Sequence, residues 1–168
     1  AIVIGLASIP LVLLYPFLKR YTFWPQLGLG LVFSWGVLIV SIQFTGTISL
    51  SFLLLYIACV FWTLGTIQFT HIDREDDIKN NVKSTAVLFG FNGRKYVRVF
   101  YSIFYIIIGF LGFYSSKSFL SLVVIIALIF VMNLHLNKWK LDSTKSSNHY
   151  FKFNNIIGLL CFLYLVIF

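Results

Sequence analysis

Six long runs of apolar residues, separated by short polar stretches, make up most of this chain. They extend from Ala1 to Phe17, Gln26 to Phe44, Ile48 to Thr70, Val97 to Tyr114, Ser118 to Leu136 and Asn155 to Phe168. A bilayer core takes roughly 20 helical residues, with tolerance for tilt and shortening. Each run is near that length, the first and last being the shortest. Lipid offers no hydrogen-bond partner to an open backbone, so such runs must be helical. They are continuous instead of alternating, which excludes a transmembrane barrel. The predicted fold class is therefore all-α: a multi-pass transmembrane helical bundle of about six spans.

The connections sort by charge. The first, third and fifth, counting Arg98 at the very start of the fourth run with the third, hold twelve of the thirteen Lys and Arg residues, whereas the second, around Thr45-Gly46-Thr47, holds none and the fourth only Lys117. Alternate loops share a side of the membrane, and basic loops mark the cytoplasmic or matrix side. The chain is thus expected in a bacterial inner or mitochondrial inner membrane, with both ends on the side opposite the charged loops.

Composition sharpens this. Of 168 residues, 60% are hydrophobic and 11% charged, at a mean hydropathy of +0.93. A soluble domain of this size could not hide that much apolar surface, so the partner is a lipid bilayer. The net charge of +8 belongs to the loops, and with no nucleic-acid motif present no nucleic-acid partner is expected. Cys59 and Cys161 lie in apolar runs and read as small core residues. The chain enters an apolar run directly at Ala1, with no charged leader or cleavage pattern. No signal peptide is expected, and the sequence reads as a piece lacking its N-terminal part.

Four of the five acidic residues fall in one stretch, Asp73-Arg74-Glu75-Asp76-Asp77. On a helix Asp73 and Asp77 would lie about 40° apart on one face. Like charges at that spacing repel by roughly 0.2–0.5 kcal/mol per exposed pair. A divalent cation is the simplest compensation. Mg²⁺ takes one or two carboxylates and completes its shell with water and substrate phosphates. Charge alone also permits a plain solvated loop between two spans. Beyond the cluster, Asn81 sits where a left-handed residue is expected. Phe91-Asn92-Gly93-Arg94 reads as a turn before the next helix. Asn137 to Asn154 reads as a flexible loop. His71, His135 and His149 lack metal-ligand spacing.

In the first connection, Pro16 and Pro25 bracket Tyr15-Pro16-Phe17-Leu18-Lys19-Arg20-Tyr21-Thr22-Phe23-Trp24-Pro25-Gln26 and argue against through-running helix. Lys19 and Arg20 suit an interfacial anchor, or phosphate binding across a cavity shared with the acidic cluster.

The run from Asp73 through Lys83-Ser84-Thr85-Ala86 to Leu88-Phe89-Gly90 resembles the second aspartate-rich motif of the UbiA superfamily of intramembrane prenyltransferases, with DxxxD, then GxKSTA, then LFG. It is most similar to the 4-hydroxybenzoate polyprenyltransferases. Tyr15 to Arg20 resembles the family's YxxxK element, Thr22 to Gln26 extends the likeness, and Phe153 to Leu159 is similar to the start of its last helix. The resemblance implies a partial domain over residues 1–168, corresponding to the fourth to ninth of nine spans. The first motif, NDxxDxxxD, would lie outside it. The family's YDxxYAxxD pattern before the cluster departs here: its Tyr-Asp falls on Gly65-Thr66, its second Tyr on Phe69 and its Ala on Thr70. Asn81 replaces a Gly.

What the resemblance implies is catalysis with Mg²⁺ as cofactor, held by Asp73 and Asp77 on the diphosphate of a polyprenyl donor. Tyr15, Lys19, Arg20, Lys83 and Ser84 would bind the diphosphate, and 4-hydroxybenzoate would accept the prenyl group in ubiquinone biosynthesis. Two alternatives stay open. One is a catalytically inactive or truncated relative that binds prenyl diphosphate or scaffolds. The other is a member using a different aromatic acceptor. A transporter is disfavoured, because the charges sit at span ends and not mid-membrane.

Overall fold

The computed structural model describes the backbone of all 168 residues and every side chain except those of Lys19 and Phe69. It is helical throughout, with no strand among the described residues.

The first apolar run folds as α1 (Ile2–Ala7) and α2 (Ile9–Leu14), parted at Ser8 where Pro10 cannot donate to the preceding turn. The Ser8 hydroxyl donates to Gly5 O at 2.7 Å. A 3₁₀ turn at Tyr15–Phe17 leads into α3 (Leu18–Tyr21), so the chain stays helical through Pro16, and the break comes at extended Thr22. Pro25 then opens α4 (Pro25–Phe33) from the N1 position, where its missing N–H costs nothing. After a turn at Ser34 and Trp35, α5 (Gly36–Thr45) closes on left-handed Gly46. The Trp35 indole donates to Ile4 O at 2.8 Å and binds this pair to α1.

Next comes α6 (Leu50–Gly65), capped by the Ser49 hydroxyl. It stops earlier than the apolar run, and Ile67–Thr70 forms a separate turn, α7. The charged connection contains α8 (Arg74–Lys79), α9 (Thr85–Phe89) and a 3₁₀ turn at Gly90–Asn92. Three long helices finish the chain: α10 (Gly93–Ser116), α11 (Phe119–Asn137) and α12 (Thr144–Ile167).

All six apolar runs are helical. Four helical stretches are long and apolar enough to cross a membrane: Pro25–Thr45, Thr85–Ser116, Phe119–Asn137 and Thr144–Ile167. The other two, Ile2–Phe17 and Leu50–Gly65, are shorter. At 1.5 Å per residue, the 16 residues of α6 reach about 24 Å, somewhat under the bilayer core. The expected loop from Asn137 to Asn154 is corrected: only its first third is irregular. The Ser143 hydroxyl accepts from Ser146 N at 3.2 Å and starts α12 eleven residues before Asn155. Trp139, fully buried, pins the remaining turn through its indole N–H to Ser147 Oγ at 3.0 Å.

α6 and α10 form the centre. Trp62 of α6 packs against Tyr101 and Phe104 of α10, with ring centroids 5.2 and 4.8 Å apart. Small residues permit the close approach: a Cβ on Gly65 would lie 2.4 Å from Tyr101 Cε1, and one on Gly112 2.4 Å from the Tyr164 hydroxyl. The outward faces are apolar, as with Phe33, Phe44 and Phe119. Exposed apolar surface on this scale marks a lipid-facing protein.

Candidate functional site

The acidic stretch is built by the chain's turn out of α7. His71 is buried, its ring nitrogens 3.1 Å from Ile67 O and 3.4 Å from Gly90 O, and its ring edge-on to Trp139. Burial holds the imidazole below its usual pKa, which favours the neutral ring. Asp73 then occupies the N-cap position of α8, without a side-chain cap bond. The Asp77 N–H donates to Asp73 O at 2.8 Å, and the Val82 N–H to Asp77 O at 2.8 Å. Asn81 takes φ +52°, the left-handed conformation expected of it. Ser84 is buried, and its hydroxyl caps α9 by accepting from Val87 N at 3.3 Å.

Asp73 and Asp77 differ in setting. Asp73 is exposed and lines a depression of about 390 Å³ with His71, Glu75, Asp76 and Asp142. Asp77, one turn on, is buried at 9% exposure and lies outside that lining. Neither carboxylate has a hydrogen-bond or ion-pair partner among the described residues; the one ion pair of the stretch joins Lys79 to Asp76 at 3.7 Å. No group of three or more metal-ligating side chains occurs among the described residues. Two unengaged carboxylates are a small set of hard oxygen donors, which fits a Mg²⁺ that takes the rest of its shell from phosphate and water.

The first and third connections meet. Lys83 Nζ donates to Tyr21 O at 3.3 Å and lies 5.8 Å above the Phe23 ring. Trp24 meets Phe89 edge-on at 5.5 Å. Lys83 thereby joins the segment that carries Arg20, which is exposed. Tyr15 is half-buried, its ring against Gly28 of α4. The Lys19 side chain lies outside the described residues.

Sequence reasoning assigned no role to the polar residues just beneath this surface. Gln26 Nε2 donates to Thr66 Oγ1 at 2.9 Å and approaches Thr63 O at 3.4 Å. Asn154 Nδ2 donates to Gln68 Oε1 at 3.0 Å, both side chains being buried. Gln26, Thr63, Thr66, Asn154 and Asn155 line one part of a cavity of about 640 Å³, and Leu29, Phe33, Trp62 and Gly158 contribute its apolar walls. The available signal was an amide side chain in or at the edge of an apolar run: Gln26 at the start of the second, Gln68 inside the third and Asn154 just before the last. Its meaning depended on pairing across the chain.

Fold and site together define a helical integral membrane protein with an acidic motif at one surface and a part-polar cavity below it. The model of the UbiA prenyltransferase family matches residues 1–156, and the chain belongs to that family. Among curated relatives it is similar to a protein named 4-hydroxybenzoate octaprenyltransferase from Pseudomonas fluorescens, 46% identical over 90 residues, covering 53% of this chain and 30% of the relative. It is also similar to the mitochondrial 4-hydroxybenzoate polyprenyltransferase of Arabidopsis thaliana, 46% identical over 101 residues, or 58% of this chain and 25% of that one. The matched part is thus about a quarter to a third of these relatives' length. No solved structure matches the chain.

Proposed function

We propose that the protein to which this chain belongs transfers a polyprenyl group from polyprenyl diphosphate to 4-hydroxybenzoate, with Mg²⁺, as a step of ubiquinone biosynthesis. The observation that carries the reading is the Asp73–Asp77 pair, with neither carboxylate engaged by a described cation, on a surface where Lys83 meets the Arg20 segment. The names of the relatives support the donor and acceptor classes.

Asp73 and Asp77 would hold the metal. Bound there, Mg²⁺ would neutralise the diphosphate and make it a competent leaving group. Lys83, Arg20 and Lys19 would offset the charge left on the diphosphate oxygens, with Tyr15 and Ser84 as hydroxyl donors. The allylic C–O bond breaks and its electron pair leaves with diphosphate. The ring carbon next to the phenol forms the new C–C bond and loses its proton. Apolar helix faces would hold the prenyl chain and keep water from the allylic cation. The charged loops would face the cytoplasm or matrix.

The test uses membranes carrying the full-length protein, a polyprenyl diphosphate and labelled 4-hydroxybenzoate, with and without Mg²⁺. Prenylated product should form only with the metal, and D73N and D77N should each abolish it. Full activity in either variant would reject the assignment. One observation favours the second reading, an inactive binding relative: Gly65-Thr66 stands where the family pattern has Tyr-Asp. Diphosphate binding without product in the unmutated protein would decide for it.

A further inference from the structure

Arg94 and Arg98 stand one turn apart at the start of α10, and the prenyl-transfer mechanism uses neither. Both reach across to the end of α11. The Arg94 guanidinium donates through Nη2 to Trp139 O, and Arg98 Nη2 donates to Asn137 Oδ1 at 2.6 Å. Trp139 is fully buried and Asn137 ends α11, so both forks are fixed to the frame of the bundle. Both arginines are half-buried, and each Nε is shut off from solvent without a hydrogen-bond partner. No acidic side chain pairs with either among the described residues. Asp142, the one acid of the fifth connection, lines the acidic depression instead. The first turn of α10 carries Arg94 and Lys95 and no acid, and Asn92 gives it no side-chain cap. Cations at that end run against the helix dipole.

A partly desolvated cation with no counter-charge is costly. The charge pattern of the connections asks only for basic residues, and exposed lysines would meet it at lower cost. Fixed arginine forks suit a narrower task. A guanidinium anchored by one N–H presents the others in a plane that matches the oxygens of a phosphate. The Arg98–Asn137 bond is open to solvent, so an oxyanion can reach it. The surface beneath selects among phosphates. Phe130 and Ile126 precede Asn137 by about two and three turns and share its side of α11, and Ile106 lies about two turns beyond Arg98 on α10. All three are strongly exposed. A phosphate joined to hydrocarbon fits both parts. We propose that Arg94, Arg98 and Asn137 bind the phosphodiester headgroup of an anionic phospholipid, in the leaflet on the side of the charged connections. An acyl chain then lies along Phe130, Ile126 and Ile106. Basic pockets between helix ends at a membrane surface bind such headgroups. The site shares no residue with those assigned to the diphosphate, and it does not rest on the prenyl-transfer reading.

The test titrates the full-length protein in detergent with phosphatidylglycerol and, separately, phosphatidylcholine, counting bound lipid by native mass spectrometry. The unmutated protein should hold phosphatidylglycerol at least about tenfold more tightly, and R94Q/R98Q should abolish that preference. K145Q/K152Q removes the same charge from exposed positions on α12 and should keep it. Equal loss in both double variants, or no preference in the unmutated protein, would overturn the proposal in favour of diffuse surface charge. Inorganic phosphate lacks the chains and should not displace the lipid at equal concentration. Displacement would make this a site for free phosphate and overturn the lipid assignment. If R94Q/R98Q does not assemble, hydrogen exchange on the unmutated protein decides. In nanodiscs containing phosphatidylglycerol, amides of residues 93–98 and 137–141 should exchange more slowly than in phosphatidylcholine alone. Unchanged exchange there would refute the site.

Discussion

α6 packs on two sides, and the two seams differ. Toward α10 it is closed: Trp62 meets Tyr101 and Phe104, and Phe61 meets Phe100 at 6.2 Å. On the other side it touches α4 closely at Gly30, where a Cβ would lie 3.2 Å from Val60 O, but opens toward α12 into a 640 Å³ cavity lined by Gln26, Thr66 and Asn154. Both seams contain glycine, so glycine alone does not set how closely helices pack. Gly65 in the closed seam is covered by a ring from the partner helix, whereas Gly158 in the open seam has only Trp62 Cζ2 at 3.6 Å from a would-be Cβ. In the open seam a polar side chain reaching across replaces a ring filling the gap. Dispersion favours the first arrangement; the second costs contacts and leaves room for a ligand.

The strongest way to break this contrast is Gly65→Ala. A Cβ 2.4 Å from Tyr101 Cε1 cannot be accommodated without moving that ring. Overpacking of this kind costs about 1–3 kcal/mol. The cost should appear as a lower thermal midpoint of the full-length protein in detergent, and it should shrink when combined with Tyr101→Leu, because the two residues touch. Additive losses would show that the ring is not the obstacle. The same contact bears on the departure at Gly65, where the family pattern carries a tyrosine: here an aromatic ring from α10 fills that space.

In the open seam, Gln26→Leu should cost about 1 kcal/mol, the worth of a typical net hydrogen bond. Gln26 is 6% exposed and bonds to Thr66, which keeps a second bond to Thr63 O at 2.6 Å. A loss as large as that of Gly65→Ala would mean the polar bridge, and not the aromatic seam, holds α6 in place. Gly158→Ala should differ in sign from Gly65→Ala. Its Cβ meets only ordinary contact, and alanine suits a helix interior better by about 0.5–1 kcal/mol. The thermal midpoint should hold or rise slightly while turnover falls as the cavity narrows. A drop in midpoint would show the open seam to be tighter than its geometry.

Features set by local physics were legible in the sequence. Six apolar runs had to be helices, and Asn81 had to turn the chain. Features set by a partner far along the chain were not. The Asn154–Gln68 bond spans 86 residues, and neither residue announces the other. The polar start of α12 reads as loop until the Ser143 cap and buried Trp139 are seen together. The candidate site divides the same way. The DxxxD spacing placed two aspartates one turn apart, but it could not show that Asp77 is buried and Asp73 exposed. That difference depends on how α8 packs beneath the surface.

The smallest effect on stability belongs to the surface above both seams. Lys83 is half-buried, and its hydrogen bond to Tyr21 O is the polar contact among the described residues by which the third connection reaches the first. Exposed charged contacts contribute about 0–1 kcal/mol, because water replaces them readily. Lys83→Ala should therefore leave the thermal midpoint nearly unchanged, within about 0.5 kcal/mol. Its consequence should appear instead in the KM for the polyprenyl diphosphate, with Lys83→Arg keeping much of the lost affinity because the charge is retained. A marked loss of stability in Lys83→Ala would give this residue a structural task, that of fastening the first connection to the third. A stable variant with an unaltered diphosphate KM would remove it from the binding surface, and the donor would then have to be held by the aspartate pair and the Arg20 segment alone.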